Sequence, residues 1–179
     1  MVATENGALP GAKVGGIADV IGSLAPAMAR RGMAVSVVTP GYGVLSSLPG
    51  FTPCGTVVTS FGGRRVEASV YNRTDGVVGH FVIEHPHLTT SIPGQIYVND
   101  DAGTPFATDA TRFALFSALM CSWLLERPDD EVVHLHDWHA ATVAILREFD
   151  PAYAALKARP LVYTIHNLAL QGIRPLRGH

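Results

Sequence analysis

Three short polar runs carry residue types that could do chemistry. The first, Lys13-Val14-Gly15-Gly16, joins a cation to paired glycines. Paired glycines let the backbone come close to a ligand, and a helix starting there offers free N–H groups and a positive dipole end. That suits a diphosphate or sugar phosphate, and it equally suits a tight strand-to-helix turn with a solvated lysine. The second run, His134-Leu135-His136-Asp137-Trp138-His139, gathers imidazoles and a carboxylate, all of them metal-ligand types. Residues two apart on a strand share a face, so His134 and His136 point together, while His139 falls on the helix that follows. A metal site using His134, His136 and Asp137 is therefore the weaker reading, and His134 reads as an ordinary buried, hydrogen-bonded imidazole. Asp137 at a strand end suits orienting a neighbour or accepting sugar hydroxyls. The third run, His166-Asn167, carries donors and acceptors fit for a sugar, although Asn167 also reads as a turn cap.

The glycine loop is a poor dinucleotide fingerprint. Gly15-Gly16-Ile17-Ala18-Asp19 is not Gly-x-Gly-x-x-Gly. The next strand ends in Thr39-Pro40, where a ribose-binding acid would stand. These features disfavour a nicotinamide oxidoreductase.

The elements that must position these runs alternate between strand and helix. Val2-Ala3-Thr4 reads as a strand end. The glycine loop then opens a helix with Ile17, Val20, Ile21, Leu24 and Met28 on one stripe, Arg30-Arg31 in its last turn and Gly32 as its stop. Pro26 inside that helix predicts a kink. Residues 34–38 read as a short apolar strand, which makes a βαβ unit and points to a parallel sheet. Residues 57–58, 65–71 and 77–83 are β-branched runs between glycine turns, predicting a meander or added hairpin on the same sheet. Residues 85–104 read as a loop, with Thr104 as N-cap and Pro105 at N1 of a helix. Its buried face is Phe113, Phe116, Met120 and Trp123, and Pro128 ends it. Residues 131–135 predict a strand, 138–149 a helix and 161–165 a second buried strand. All three polar runs thus fall at the C-terminal ends of parallel strands, where open α/β sheets bind ligands.

The expected fold class is α/β, a Rossmann-like doubly wound and mainly parallel sheet with an added hairpin or meander. The 179 residues suffice for one such domain, and 47% apolar with 16% charged residues suits a packed core. A net charge of -2 without a basic block speaks against nucleic acid as a partner. Cys54 and Cys121 make no framework, so a reducing, cytoplasmic setting is expected. The longest apolar stretch, residues 113–125, is too short to cross a membrane and reads as a buried helix. The first residues lack the pattern of a secretory signal.

With those residues in view, the chain resembles the bacterial glycogen synthases and plant starch synthases. The matching stretches are residues 13–20, 108–113, 134–140 and 163–172, in family order along nearly the whole chain. The resemblance implies a two-domain GT-B fold, with residues 1–179 as an incomplete N-terminal, acceptor-side domain lacking the C-terminal nucleotide-binding domain. It implies transfer of glucose from ADP-glucose, or UDP-glucose in some relatives, to an α-1,4-glucan with retention and with no metal or other cofactor. Such a protein works in the cytoplasm, or in the plastid stroma of a plant. His166 is expected beside the donor glucose and is grouped with Asp137 as catalytic. Lys13, Gly15, Gly16, Tyr97, His139, Asn167 and Gln171 are expected to bind substrate. The chain by itself is expected not to turn over. Val14 stands where the family usually has threonine, Ile17 where it has leucine, and Leu170 where an aromatic is common. The loop 5–12 is longer than the common bacterial one. These departures bear on donor base and acceptor preference. The rival readings are a sucrose- or trehalose-forming relative, a metal-dependent hydrolase and a non-catalytic glucan- or nucleotide-binding module.

Overall fold

The computed structural model describes residues 1–98, 109–129 and 131–173. The expected helix start at Thr104-Pro105, Thr108 of the matching stretch and the last residues before His179 lie outside the described residues.

The helices are α1 (Gly16–Ala29), α2 (Asp109–Leu125) and α3 (Trp138–Phe149). The strands are β1 (Val35–Pro40), β2 (Thr52–Phe61), β3 (Arg64–Asp75), β4 (Val78–Glu84), β5 (Val133–His136) and β6 (Leu161–Thr164). A 3-10 helix, Pro151–Ala158, links α3 to β6.

β1 pairs in parallel with β4, β4 antiparallel with β3, and β3 antiparallel with β2, while β5 and β6 pair in parallel. The N-terminal residues stitch the two groups together, since Val2 bridges in parallel to both Val38 and Leu135. Its N–H donates to the His134 carbonyl at 2.8 Å, and its carbonyl accepts from the His136 N–H at 3.0 Å. Taking the Val2 strip as strand one, the parallel part runs β4–β1–strand one–β5–β6. This is a doubly wound order whose direction reverses between strand one and β5.

Alternation along the strands explains the layers. Neighbouring residues point to opposite faces, so Val37 joins Ala3 and the α1 residues Ile17, Ile21 and Ala25, whereas Val38 joins Val2, Leu135 and the α2 residues Phe116, Leu119 and Met120. Helices therefore cover both faces, and burial of these stripes is the main driving force for the architecture.

Most expected elements are present, with three differences. The α1 stripe is Ile17, Ala18, Ile21 and Ala25, while Val20 is exposed. Arg30 is the C-cap of α1, so Arg30-Arg31 follow the helix instead of ending it. The expected meander on the same sheet is present, β2, β3 and β4 pairing antiparallel in turn while β4 also pairs in parallel with β1. Finally, β6 is not a buried strand, because Val162 and Tyr163 are exposed and Ile165 beyond them is too.

Candidate active site

The reversal between strand one and β5 opens a crevice at the C-terminal edge of the sheet, and the loops after those two strands flank it. After strand one, Thr4, Glu5 and Asn6 are all buried. Glu5 is the organising group. Its Oε2 accepts from the Val14 N–H at 2.9 Å and the Gly15 N–H at 2.6 Å, and its Oε1 accepts from the Tyr97 hydroxyl at 2.7 Å. A single side chain thus joins the glycine loop to Tyr97.

Gly15 is the N-cap of α1 and has no side-chain cap, so the first-turn N–H groups lack a side-chain partner at that position. A Cβ added at Gly16 would meet nothing within 4 Å, leaving open space above the helix N-terminus. Lys13 turns to Asp19, with Nζ 2.5 Å from Oδ1. Both side chains are more than half exposed, so this pair adds little stability and its lysine is easily diverted to a ligand. Loop and helix pack closely because Gly7 and Gly22 carry no side chains: a Cβ at Gly7 would lie 2.4 Å from the Ala18 carbonyl oxygen.

On the other flank, β5 ends in His136 and the chain turns sharply at Asp137. Asp137 has φ 63° and ψ 178°, a conformation essentially reserved for glycine. Holding a side chain there costs on the order of 1–3 kcal/mol, and such strain collects at functional sites. Asp137 is buried, and its Oδ1 has no hydrogen-bond partner. The turn starts α3 and brings its first residues over the crevice. Trp138 receives Gly172 against its ring, where a Cβ would come within 2.2 Å of Cε3.

His136 is fully buried, and its Nδ1 lies 3.0 Å from Nε2 of the half-buried His166. The His134 ring stacks on His136 with centroids 4.1 Å apart, and its Nε2 lies 2.8 Å from the Thr164 hydroxyl. His134 is half-buried, not fully buried as expected, but its imidazole is hydrogen-bonded as expected. Burial, helped by the neighbouring imidazoles His134 and His166, pushes His136 down to about 3. His139 is packed among Tyr97, Phe113 and Trp138. Burial, with the charge of Arg112 next, lowers it also to about 3. Both rings are neutral in the folded protein near neutral pH. The Tyr97 hydroxyl is pushed well above its usual range, first by burial and then by Glu5.

The structure therefore brings together Gly15 and Tyr97 on one flank and Asp137, His139 and His166 on the other, with the Tyr97 and His139 rings in contact between them. It does not draw in three of the expected binding side chains. Lys13 faces Asp19. Asn167 closes its own turn, its Oδ1 accepting from the N–H groups of Ala169 at 2.7 Å and Leu170 at 2.9 Å. Gln171 donates to the Leu168 carbonyl at 2.9 Å. Among the described residues no three His, Cys, Asp or Glu side chains are placed to hold a metal ion, so His134, His136 and Asp137 do not form the ligand set weighed from the sequence. No described helix is long and apolar enough to cross a membrane.

Two contributors were not singled out from the sequence. Glu5 had a positional signal, a carboxylate in the loop leaving the first strand. Arg112 had little. It is buried, 2.5 Å from the Asp109 Oδ1, and donates to the carbonyls of Leu88 at 3.2 Å and of Ile96, next to Tyr97, at 2.5 Å. It thereby ties the segment that carries Tyr97 to α2.

A doubly wound sheet with a glycine loop and a histidine pair facing each other across its switch point defines the Rossmann-like half of a GT-B glycosyltransferase fold. The chain belongs to the starch synthase catalytic domain family, which it matches over residues 1–179. It is 36% identical over 182 residues to the glycogen synthase of Granulibacter bethesdensis, covering 97% of this chain and 35% of that protein. To the glycogen synthase of Ralstonia nicotianae it is 34% identical over 181 residues, covering 98% and 31%. The chain thus spans about a third of the length of these curated relatives. The catalytic domain of starch synthase IV from Arabidopsis thaliana, solved bound to ADP and acarbose, matches with a TM-score of 0.77 at 28% identity, over 93% of this chain and 33% of that one.

Proposed function

We propose that this chain is the N-terminal, acceptor-side part of a retaining glucosyltransferase that extends an α-1,4-glucan from ADP-glucose in the cytoplasm. The observation that carries the reading is the meeting of the Glu5-held glycine loop and the His136–His166 pair at one switch point. Glycogen synthases matching nearly all of the chain support it, as does a related fold solved with ADP and acarbose.

The chemistry fits the residues. Loss of a nucleoside diphosphate builds negative charge on phosphate, which oriented N–H groups and a cation stabilise without reorganising. The Val14 and Gly15 N–H groups are already taken by Glu5. The phosphate therefore falls to the following first-turn amides of α1, above the open face of Gly16, and to Lys13 once it leaves Asp19. His166 contacts the donor glucose, and the free Oδ1 of Asp137 accepts a sugar hydroxyl. Tyr97 and His139 complete this wall of the cleft, Asn167 and Gln171 reach the substrate only by leaving their partners within the turn after His166, and a second domain supplies the opposite wall.

The test uses the full-length polypeptide that carries these residues, glucose donors of either base, and glycogen or small-sugar acceptors. Lys13→Ala and His166→Ala should each lower transfer from ADP-glucose to glycogen by at least about 100-fold, the usual scale for losing one charge-stabilising group. Transfer surviving both substitutions, or preferring a monosaccharide acceptor, refutes the reading. Residues 1–179 alone should bind without turning over, and clear transfer by them refutes the division between two walls.

A further inference from the structure

The contact between His136 and His166 constrains where the protons sit. The facing atoms, Nδ1 of His136 and Nε2 of His166, are 3.0 Å apart, so one nitrogen carries the proton and the other accepts it. The other ring nitrogen of His136, Nε2, is buried without a partner. Suppose His166 donated: His136, held neutral by burial, would then carry its only proton on that Nε2, leaving an N–H orphaned in the interior. Suppose instead that His136 donates from Nδ1: its Nε2 is then a bare lone pair. Orphaned buried N–H groups are rarer in native proteins than unsatisfied acceptors, which favours the second arrangement. With Nε2 of His166 acting as acceptor, the remaining proton of that ring is on Nδ1.

We propose that His136 is a positioning residue that fixes His166 in the Nδ1–H tautomer, so that His166 offers the crevice an N–H donor for a ligand oxygen instead of a lone pair. The fold keeps His136 from reorienting. His136 pairs with Thr164 in the parallel register of β5 and β6. The His134 ring lies against one side of it, itself tied to the Thr164 hydroxyl. Turning the His136 ring over would replace its Nδ1 by a carbon and break the contact with His166. The arrangement follows a common pattern, in which the partner at one imidazole nitrogen decides what the other nitrogen can do. A sugar hydroxyl oxygen is the acceptor that suits such a donor. That ligand class rests on the proposed function, whereas the tautomer does not.

The experiment is a long-range 1H–15N correlation of the histidine rings in the uniformly labelled chain near pH 7.5, with His166 assigned by the signals lost in His166→Gln. His166 should show a protonated Nδ1 and an unprotonated Nε2. His136→Asn retains a donor close to the Nδ1 position and should preserve that pattern. His136→Phe fills the ring volume without a donor and should move His166 toward Nε2–H. A wild-type His166 protonated on Nε2, or a pattern unchanged in a folded Phe variant, overturns the proposal. If the Phe variant does not fold, the wild-type and Asn spectra decide. Addition of ADP-glucose should shift the His166 Nδ1 signal. An unmoved signal in a chain that binds the donor refutes the ligand role while the tautomer stands, so failure of the glucosyl reading is distinguishable from failure of the proton assignment.

Discussion

Glu5→Ala removes the acceptor for three hydrogen bonds at once, two from the glycine loop and one from Tyr97. The loop amides can turn to water afterwards, since Val14 is 61% exposed, so each bond lost there costs about 1 kcal/mol. The Tyr97 hydroxyl is half-buried and loses a charged acceptor, which adds about 1–2 kcal/mol. The expected total is about 3–4 kcal/mol. With a urea m-value of about 2 kcal/mol/M, the midpoint falls by about 1.5–2 M. Glu5→Gln should cost only about 1 kcal/mol, because its carboxamide oxygen can serve both loop amides while its NH2 donates to the Tyr97 oxygen. Urea melts of both variants measure the difference, and amide hydrogen exchange at Val14 and Gly15 localises it. Equal losses in the two variants, or a Glu5→Ala protein with unchanged exchange at those amides, would refute the idea that this carboxylate holds the loop.

Three further outcomes follow from the packing. His136 and His139 are both lowered to about 3 in the folded protein, from about 6.5 when unfolded. Between those values the unfolded chain binds the extra protons, so stability falls as pH drops below about 6.5, by up to about 1.4 kcal/mol per unit for each ring. Urea midpoints at pH 7, 6 and 5 read this, and a flat profile counts against neutral buried imidazoles. Arg112→Ala leaves the buried Asp109 unpaired and should cost about 3–5 kcal/mol, whereas the double change Asp109→Leu with Arg112→Met should recover much of it. Thermal melts of the single and double variants separate the two. Gly7→Ala drives a methyl into the Ala18 carbonyl and should cost about 3 kcal/mol, while Gly16→Ala meets only open space and should melt like the parent yet bind ADP-glucose less well.

What the sequence displayed depended on how local each signal was. The α3 span was legible because a polar strand end, an apolar stripe and the Phe149-Asp150-Pro151 stop lie side by side. The address of the two histidine runs was legible for the same reason, since His136-Asp137 and His166-Asn167 close or follow apolar strands, while the glycine run was placed by the helix that it opens. The partner of β4 was not, because an alternating run looks alike in a hairpin and in a parallel sheet, and its mate β1 lies across the whole hairpin in sequence. β6 was misjudged because an apolar run says nothing about how many sides are covered. Tyr163 and Val162 are apolar and exposed at a strand edge. Glu5 stayed hidden because its partners are backbone N–H groups, which have no residue signature. Asp137 was noticed for its carboxylate, while its positive φ is a property of the turn and has no trace in residue type.

The Val2 strip has a consequence for how the chain assembles. Its pairing with β1 is local in sequence, whereas its other edge is completed only by β5, which lies beyond the hairpin, β4 and α2. The ladder bonds between Val2 and the residues flanking Leu135, His134 and His136, therefore close a far longer loop than those between Val2 and β1. Their closure sets the loop after Val2 beside His134 and His136, and His166 joins them when β6 pairs with β5. The crevice is therefore complete only when the Val2 strip is clamped from both sides and β6 has joined β5.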